Sequence, residues 1–176
     1  MPSCRGERRR PHTATSLRPV SPVCLLAYTF APTRPHSAEW LVAPFKYDKP
    51  LPEALAELKS AIAAYPPGQS GIDGGGFKLV SEQPTADGAY LYVQFESRRK
   101  GYIDDMEFAL SKGVVNVRTS SRLGYLDMGV NAKRFNWFAR KMGATPGWSA
   151  QPLLAKGRVG YFSQNGIAEA DVMGER

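Results

Sequence analysis

Cysteine and histidine are nearly missing from this 176-residue chain, and what there is of either sits at one end. Cys4, Cys24, His12 and His36 all fall within the first 38 residues. The body therefore has no intradomain disulfide, no thiolate zinc site, and no histidine for a catalytic triad or a metal centre. Long apolar runs are lacking too: none approaches the roughly 18–20 residues that cross a bilayer as a helix. Acid is scarce in residues 1–38, which hold six Arg against one Glu. The rest of the chain carries 17 basic and 15 acidic residues, so only +2 of the net +7 belongs to it. A near-neutral body argues against a nucleic-acid partner, whose footprint is a basic stripe on the folded domain.

What is present fits one soluble domain behind a leader. The chain is long enough for a single core, and its 43% hydrophobic content is ordinary for a globular protein. Residues 1–38, rich in Arg, Ser, Thr and Pro, have the composition of an organelle address and are read as a targeting or disordered tail. Pro2, Pro11, Pro19, Pro22, Pro32 and Pro35 break any long helix, which favours a plastid over a mitochondrion, the alternative. Val23–Pro32 (VCLLAYTFAP) adds a short apolar stretch ahead of Phe-Ala-Pro, similar to the bipartite signal of algae with complex plastids, with Phe30 opening the second part.

A single domain is expected over 39–165, with 166–176 a disordered C-terminal tail. After an extended lead-in, Pro52 opens a helix whose Leu55, Leu58, Ile62 and Tyr65 form one apolar stripe, closed by Pro66-Pro67-Gly68. The Gly-rich run from Gln69 to Gly76 lacks the Lys-Ser/Thr of a phosphate loop and reads as a flexible connection or a hairpin entry. Strands are predicted at 77–82, 89–98, 102–110 and 114–122, and a helix at 132–142 capped by Asn131. Lys133, Arg134, Arg140 and Lys141 are assigned to that helix's solvated side, and a last strand to 158–162. The fold class is thus α+β: an antiparallel sheet of about four or five strands with two helices packed on one face.

Alternation fixes the faces of the central strands. Leu91, Val93 and Phe95, then Tyr102, Met106, Phe108 and Leu110, then Val115, Val117 and Thr119 share the core side. With Lys112 and Gly113 as the loop, Phe108 lies opposite Val117 and Leu110 opposite Val115; a one-residue slip would set core against solvent throughout. The other face then reads Asp105 opposite Ser120 and Glu107 opposite Arg118, with Arg122 next along and Tyr90 and Tyr92 on the neighbouring strand. These seven residues are the candidate binding face; a solvated, charge-paired surface is its plainer explanation. Asp104 points to the core side by parity, so it needs backbone N–H groups or an arginine as partner.

The runs YIDDMEF and VVNVRTSSRLGYLDMGVNAKR resemble the signature of the domain of unknown function 1499 family. The matching residues are Asp104, Asp105, Glu107, Phe108, Arg118, Ser121, Arg122, Gly124, Tyr125, Asp127, Gly129 and Asn131. The resemblance extends back loosely over the helix at 52–65. Members often carry a Cys-bearing segment ahead of the domain, which this chain lacks after Cys24, so chemistry needing that cysteine is not expected. The family occurs in bacteria and photosynthetic eukaryotes, and the resemblance implies no established reaction. Asp104, Gly124, Tyr125, Asp127, Gly129 and Asn131 are read as structural.

These readings lead to an expectation of a non-catalytic accessory or binding protein of a plastid, soluble or peripheral to the thylakoid. A protein complex, such as a photosynthetic membrane assembly, is the expected partner, and peripheral membrane contact stays open. No catalytic residue, metal ligand or cofactor is assigned. The alternative is a small-ligand binder or an enzyme that uses the Asp/Glu/Arg/Tyr cluster for acid–base work.

Overall fold

A computed structural model describes residues 24–26, 41–124 and 126–173. Among them, seven strands form one antiparallel sheet, accompanied by four α-helices. The strands are β1 (Cys24–Leu26), β2 (Phe45–Tyr47), β3 (Gly76–Thr85), β4 (Gly88–Glu96), β5 (Ile103–Ser111), β6 (Val114–Ser121) and β7 (Trp148–Ser149). Six run in the spatial order β3-β4-β5-β6-β2-β7. β1 lies beside β2 along the same edge of β6, pairing Leu25 with Thr119 where β2 pairs Phe45 with Val115. The class is the α+β fold expected, and the sheet is larger because β1, β2 and β7 are too short to announce themselves by alternation.

The central hairpins follow the hydrophobic pattern closely. Phe108 pairs with Val117, Leu110 with Val115, Asp105 with Ser120 and Glu107 with Arg118, so core meets core. Leu91, Val93, Phe95, Met106, Phe108, Leu110, Val115 and Val117 are all buried on one face. Tyr102 departs from expectation: β5 begins one residue later, and the tyrosine stands exposed in the β4–β5 turn. Between Leu79 and Ser81 the β3–β4 register shifts, leaving Val80 as the extra residue of a bulge and accounting for its exposure.

Helices α1 (Leu51–Ala63) and α2 (Val130–Gly143) pack on the core face. Pro52 sits in α1's first turn, where a missing N–H costs nothing, and Ala54, Leu58, Ala61 and Ile62 face inward. Tyr65, just past α1, ties the layers together. Its ring lies 5.0 Å from those of Phe95 and Trp137 and 5.4 Å from that of Phe138, the range in which aromatic pairs attract.

The C-terminal part differs from the reading above. Residues 158–162 form no strand; α3 spans Val159–Asn165, with Tyr161, Phe162 and Asn165 buried at helical spacing and Gly166 ending it at φ 62°. Residues 169–173, read as part of a tail, form α4 (Glu169–Met173), and Val172 is wholly buried. The buried Asn136 of α2 holds this part down. Its amide donates to the carbonyls of Leu153 (3.1 Å) and Val172 (3.0 Å) and accepts from the Leu153 N–H (2.6 Å). No helix among the described residues is long and apolar enough to cross a membrane.

Candidate functional site

The signature residues divide between the two faces of the sheet, and the two faces hold charge in different ways. On the outer face they form a ladder of partners. Arg122 donates to Asp105 through Nε (3.0 Å to Oδ2) and Nη2 (2.8 Å to Oδ1), and its Nη2 also donates to the Tyr92 hydroxyl at 2.7 Å. Tyr92 in turn donates to Asp105 Oδ1 at 2.6 Å and accepts from Gln94 at 2.7 Å. One rung along, Arg118 pairs with Glu107, as the register requires. Asp105 holds the Arg122 guanidinium charged beyond its usual range. Burial, and then the neighbouring carboxylates Glu107 and Asp105, push the Tyr90 and Tyr92 hydroxyls up. Ser120 is buried opposite Asp105. All seven candidate binding residues therefore share one face.

On the core face the charge is enclosed. Arg134 of α2 is fully buried, although its type assigned it to the solvent side. Each of its five N–H donors finds an acceptor. Nε and Nη2 form a fork onto Asp73 (2.9 and 2.6 Å), and Nη2 also reaches Asp104 at 2.9 Å. Nη1 donates to Asn131 (2.9 Å) and Thr119 (3.3 Å). The guanidinium lies over the Phe95 ring, 4.5 Å from its centroid. Tyr65 adds a donor to Asp73 Oδ2 at 2.6 Å. Burial opposes charge on Arg134, but the two carboxylates outweigh it and keep the group ionised. Asp104, near the sheet end, has its carboxyl raised above the usual range by burial, an effect Arg134 only partly offsets.

Sequence reasoning located Asp104 and the kind of partner it needs, but missed Arg134, Asp73 and Tyr65 as a unit. One signal was available: Asn131, Arg134, Phe135, Phe138, Ala139 and Met142 form a single helical stripe, all of it buried. Asp73 lies in the Gly-rich run, which forms the entry to the β3–β4 hairpin. Asp73 takes φ 55°, and the backbone N–H of Gly75 donates to the Glu96 carbonyl at 2.9 Å.

The loop between β6 and α2 is a second structural unit. Asn131 was expected to cap α2, yet it lies inside the helix, accepting from Thr119 and Arg134. The cap comes from Asp127, whose Oδ1 accepts the Gly129 N–H and whose Oδ2 accepts the Asn131 N–H, both at 3.0 Å. Asn165 of α3 accepts the N–H groups of Asp127 and Met128 and so docks the loop on the helices. Gly129 takes φ 75°, and a Cβ there would meet Ile167 Cδ1 at 2.7 Å. Gly124 takes φ 89°, a left-handed conformation suited to glycine. Tyr125 lies outside the described residues.

No group of three or more potential metal ligands occurs among the described residues. A cleft of about 160 Å3, lined by Phe135, Leu153, Lys156 and Arg158 among others, lies away from both charge clusters. It is smaller than the roughly 300–1,000 Å3 of a small-molecule site. Asp/Glu, Arg and Tyr are thus present in acid–base combinations, but each described carboxylate of the signature already accepts hydrogen bonds from within the fold.

A family model described as "Protein of unknown function (DUF1499)" matches residues 15–142. No curated protein and no solved structure matches the chain.

Proposed function

The chain belongs to the DUF1499 family of proteins of unknown function, and from that premise we propose that it is a non-catalytic accessory protein of a plastid. Its role in this reading is to bind, through the outer sheet face, a larger membrane assembly such as a photosynthetic complex. One observation carries the reading: the signature's outer-face charges are spent on one another, with Arg122 on Asp105 and Arg118 on Glu107, and its Asp104 is held by Arg134 of α2. A carboxylate whose oxygens already accept an arginine's N–H donors is poorly placed as a general base, because it is not free to take a substrate proton. An internally paired face with Tyr90 and Tyr92 among the charges suits recognition instead, tyrosine and arginine being enriched where proteins meet. The Arg-, Ser-, Thr- and Pro-rich residues 1–38 support the plastid address.

Co-purification tests the reading. Tagged protein from gently lysed organelles is expected to bring down a larger membrane assembly. Arg122→Glu, which sets like charges against Asp105, is expected to lose that assembly while the melting transition of the purified variant stays cooperative. Recovery of the wild-type protein only as a free monomer would overturn the proposal.

A further inference from the structure

Two loops leave the same end of the sheet from neighbouring strands. The β4–β5 turn, Ser97–Tyr102, is closed by the Ser97 N–H on the Tyr102 carbonyl (2.9 Å) and the Gly101 N–H on the Ser97 carbonyl (3.1 Å). That geometry places three consecutive cations, Arg98, Arg99 and Lys100, at the exposed tip. No ion pair among the described residues engages them. Lys100 lies 5.5 Å from the ring centroid of the exposed Tyr102.

The β6–α2 loop starts one strand away. The Arg122 N–H donates to the Ile103 carbonyl at 3.3 Å, and neighbouring strands lie only about 5 Å apart. Asp127 anchors this loop from within, yet Leu123 (62% exposed), Leu126 (46%) and Met128 (63%) stand in solvent. Seven large apolar side chains are exposed among the described residues, and four of them, these three and Tyr102, belong to these two loops.

We propose that this end of the sheet docks on an anionic lipid surface. Leu123, Leu126 and Met128 enter the boundary between headgroups and acyl chains, Tyr102 sits at headgroup level, and Arg98, Arg99 and Lys100 face lipid phosphates. The pattern is that of an interfacial anchor, apolar tips beside a basic cluster, with an aromatic ring of the kind that collects at membrane interfaces. A protein partner is disfavoured because the apolar groups stand on loop tips and a lysine lies among them, whereas interface cores are packed pockets depleted of lysine. The inference deepens the reading above and rests on it for the biological setting alone.

Vesicle flotation of the purified full-length protein tests it. Vesicles mixing phosphatidylglycerol with phosphatidylcholine should carry the protein up, pure phosphatidylcholine vesicles should not, and added salt should weaken the binding. Leu123→Ser combined with Met128→Ser should reduce binding at least tenfold without altering the melting transition, since both residues are exposed. Arg99→Glu should weaken it strongly. Lys112→Glu, the same charge reversal in the turn at the opposite end of the sheet, should not. The Arg-rich residues 1–38 are present in every variant and cancel. Equal loss from Arg99→Glu and Lys112→Glu would reduce the effect to net charge and overturn the proposal. Failure to bind anionic vesicles would overturn it as well. If co-purification with a membrane assembly persisted in that case, the accessory function would stand and the patch would be a protein contact.

Discussion

Arg134 is the buried cation that ties Asp73 and Asp104 to α2. Removing one partner of a buried charge pair leaves the others uncompensated, which typically costs about 3–5 kcal/mol. Arg134→Leu is therefore expected to lower the unfolding free energy by about that much in urea titrations. Arg134→Lys should recover little, because an ammonium cannot reproduce the fork onto Asp73 while reaching Asp104, Asn131 and Thr119. Asp104 makes a different prediction. Burial raises its folded-state carboxyl above the ordinary value of 3.8, so its contribution to stability is fully present below that value and falls as pH rises through the raised one. An asparagine there stays neutral and can still accept from Arg134. The stability of Asp104→Asn relative to wild type should accordingly improve between about pH 3 and pH 7; a difference that stays flat over this range would show that Asp104 is not held this way. Asp104's need for a partner, backbone N–H groups or an arginine, was legible, because strand parity places it inward. Arg134 was not, since a charged residue on a helix is assigned to solvent by type, and only the stripe through Phe135 and Phe138 argued otherwise.

At the level of elements, legibility followed period and length. The long strands β5 and β6 alternate over nine and eight residues, and their hairpin could be registered from the sequence alone, because a slip would expose every core side chain at once, whereas the bulge in β3 breaks the alternation there. Helix α3 has only seven residues, and its Val-Gly-Tyr-Phe start resembles a strand; what makes it helical is the burial of Tyr161, Phe162 and Asn165 together, a tertiary fact. The start of α2 was located but its chemistry misassigned. The cap lies four residues upstream of Asn131, in Asp127, which becomes apparent only once the loop folds back. A close approach also occurs where that loop meets Ile167, between α3 and α4. Gly129→Ala must accept a φ of 75° and a 2.7 Å approach to Ile167, so it should destabilise by about 1–3 kcal/mol. The loss should appear in chemical denaturation, and Ile167→Ala in the same chain should recover part of it, because the clash is with that side chain. A variant as stable as wild type would mean that Ile167 does not press on the loop.

For the whole molecule, the informative boundary is the N-terminal one. β1 lies inside the Arg- and Pro-rich segment read as an address, and it pairs with β6 at Arg118, Thr119 and Ser120, beside the outer ladder. The family match likewise begins at residue 15, ahead of β1. These two observations constrain how much of an address can be removed. Cleavage ahead of Phe30, as a bipartite signal would require, discards β1 and leaves that stretch of β6 as an open edge, a template for association with other chains. Cleavage ahead of Cys24 keeps the edge covered. If the segment is removed as an address, the mature N-terminus, read by mass spectrometry of the native protein, is therefore expected before Cys24. A mature chain beginning at Phe30 would mean that β1 is absent from the working protein. The Arg118–Ser120 edge, adjoining Arg122 and Glu107, would then be open to a strand from a partner, and the accessory role would act through that edge rather than through the ladder face.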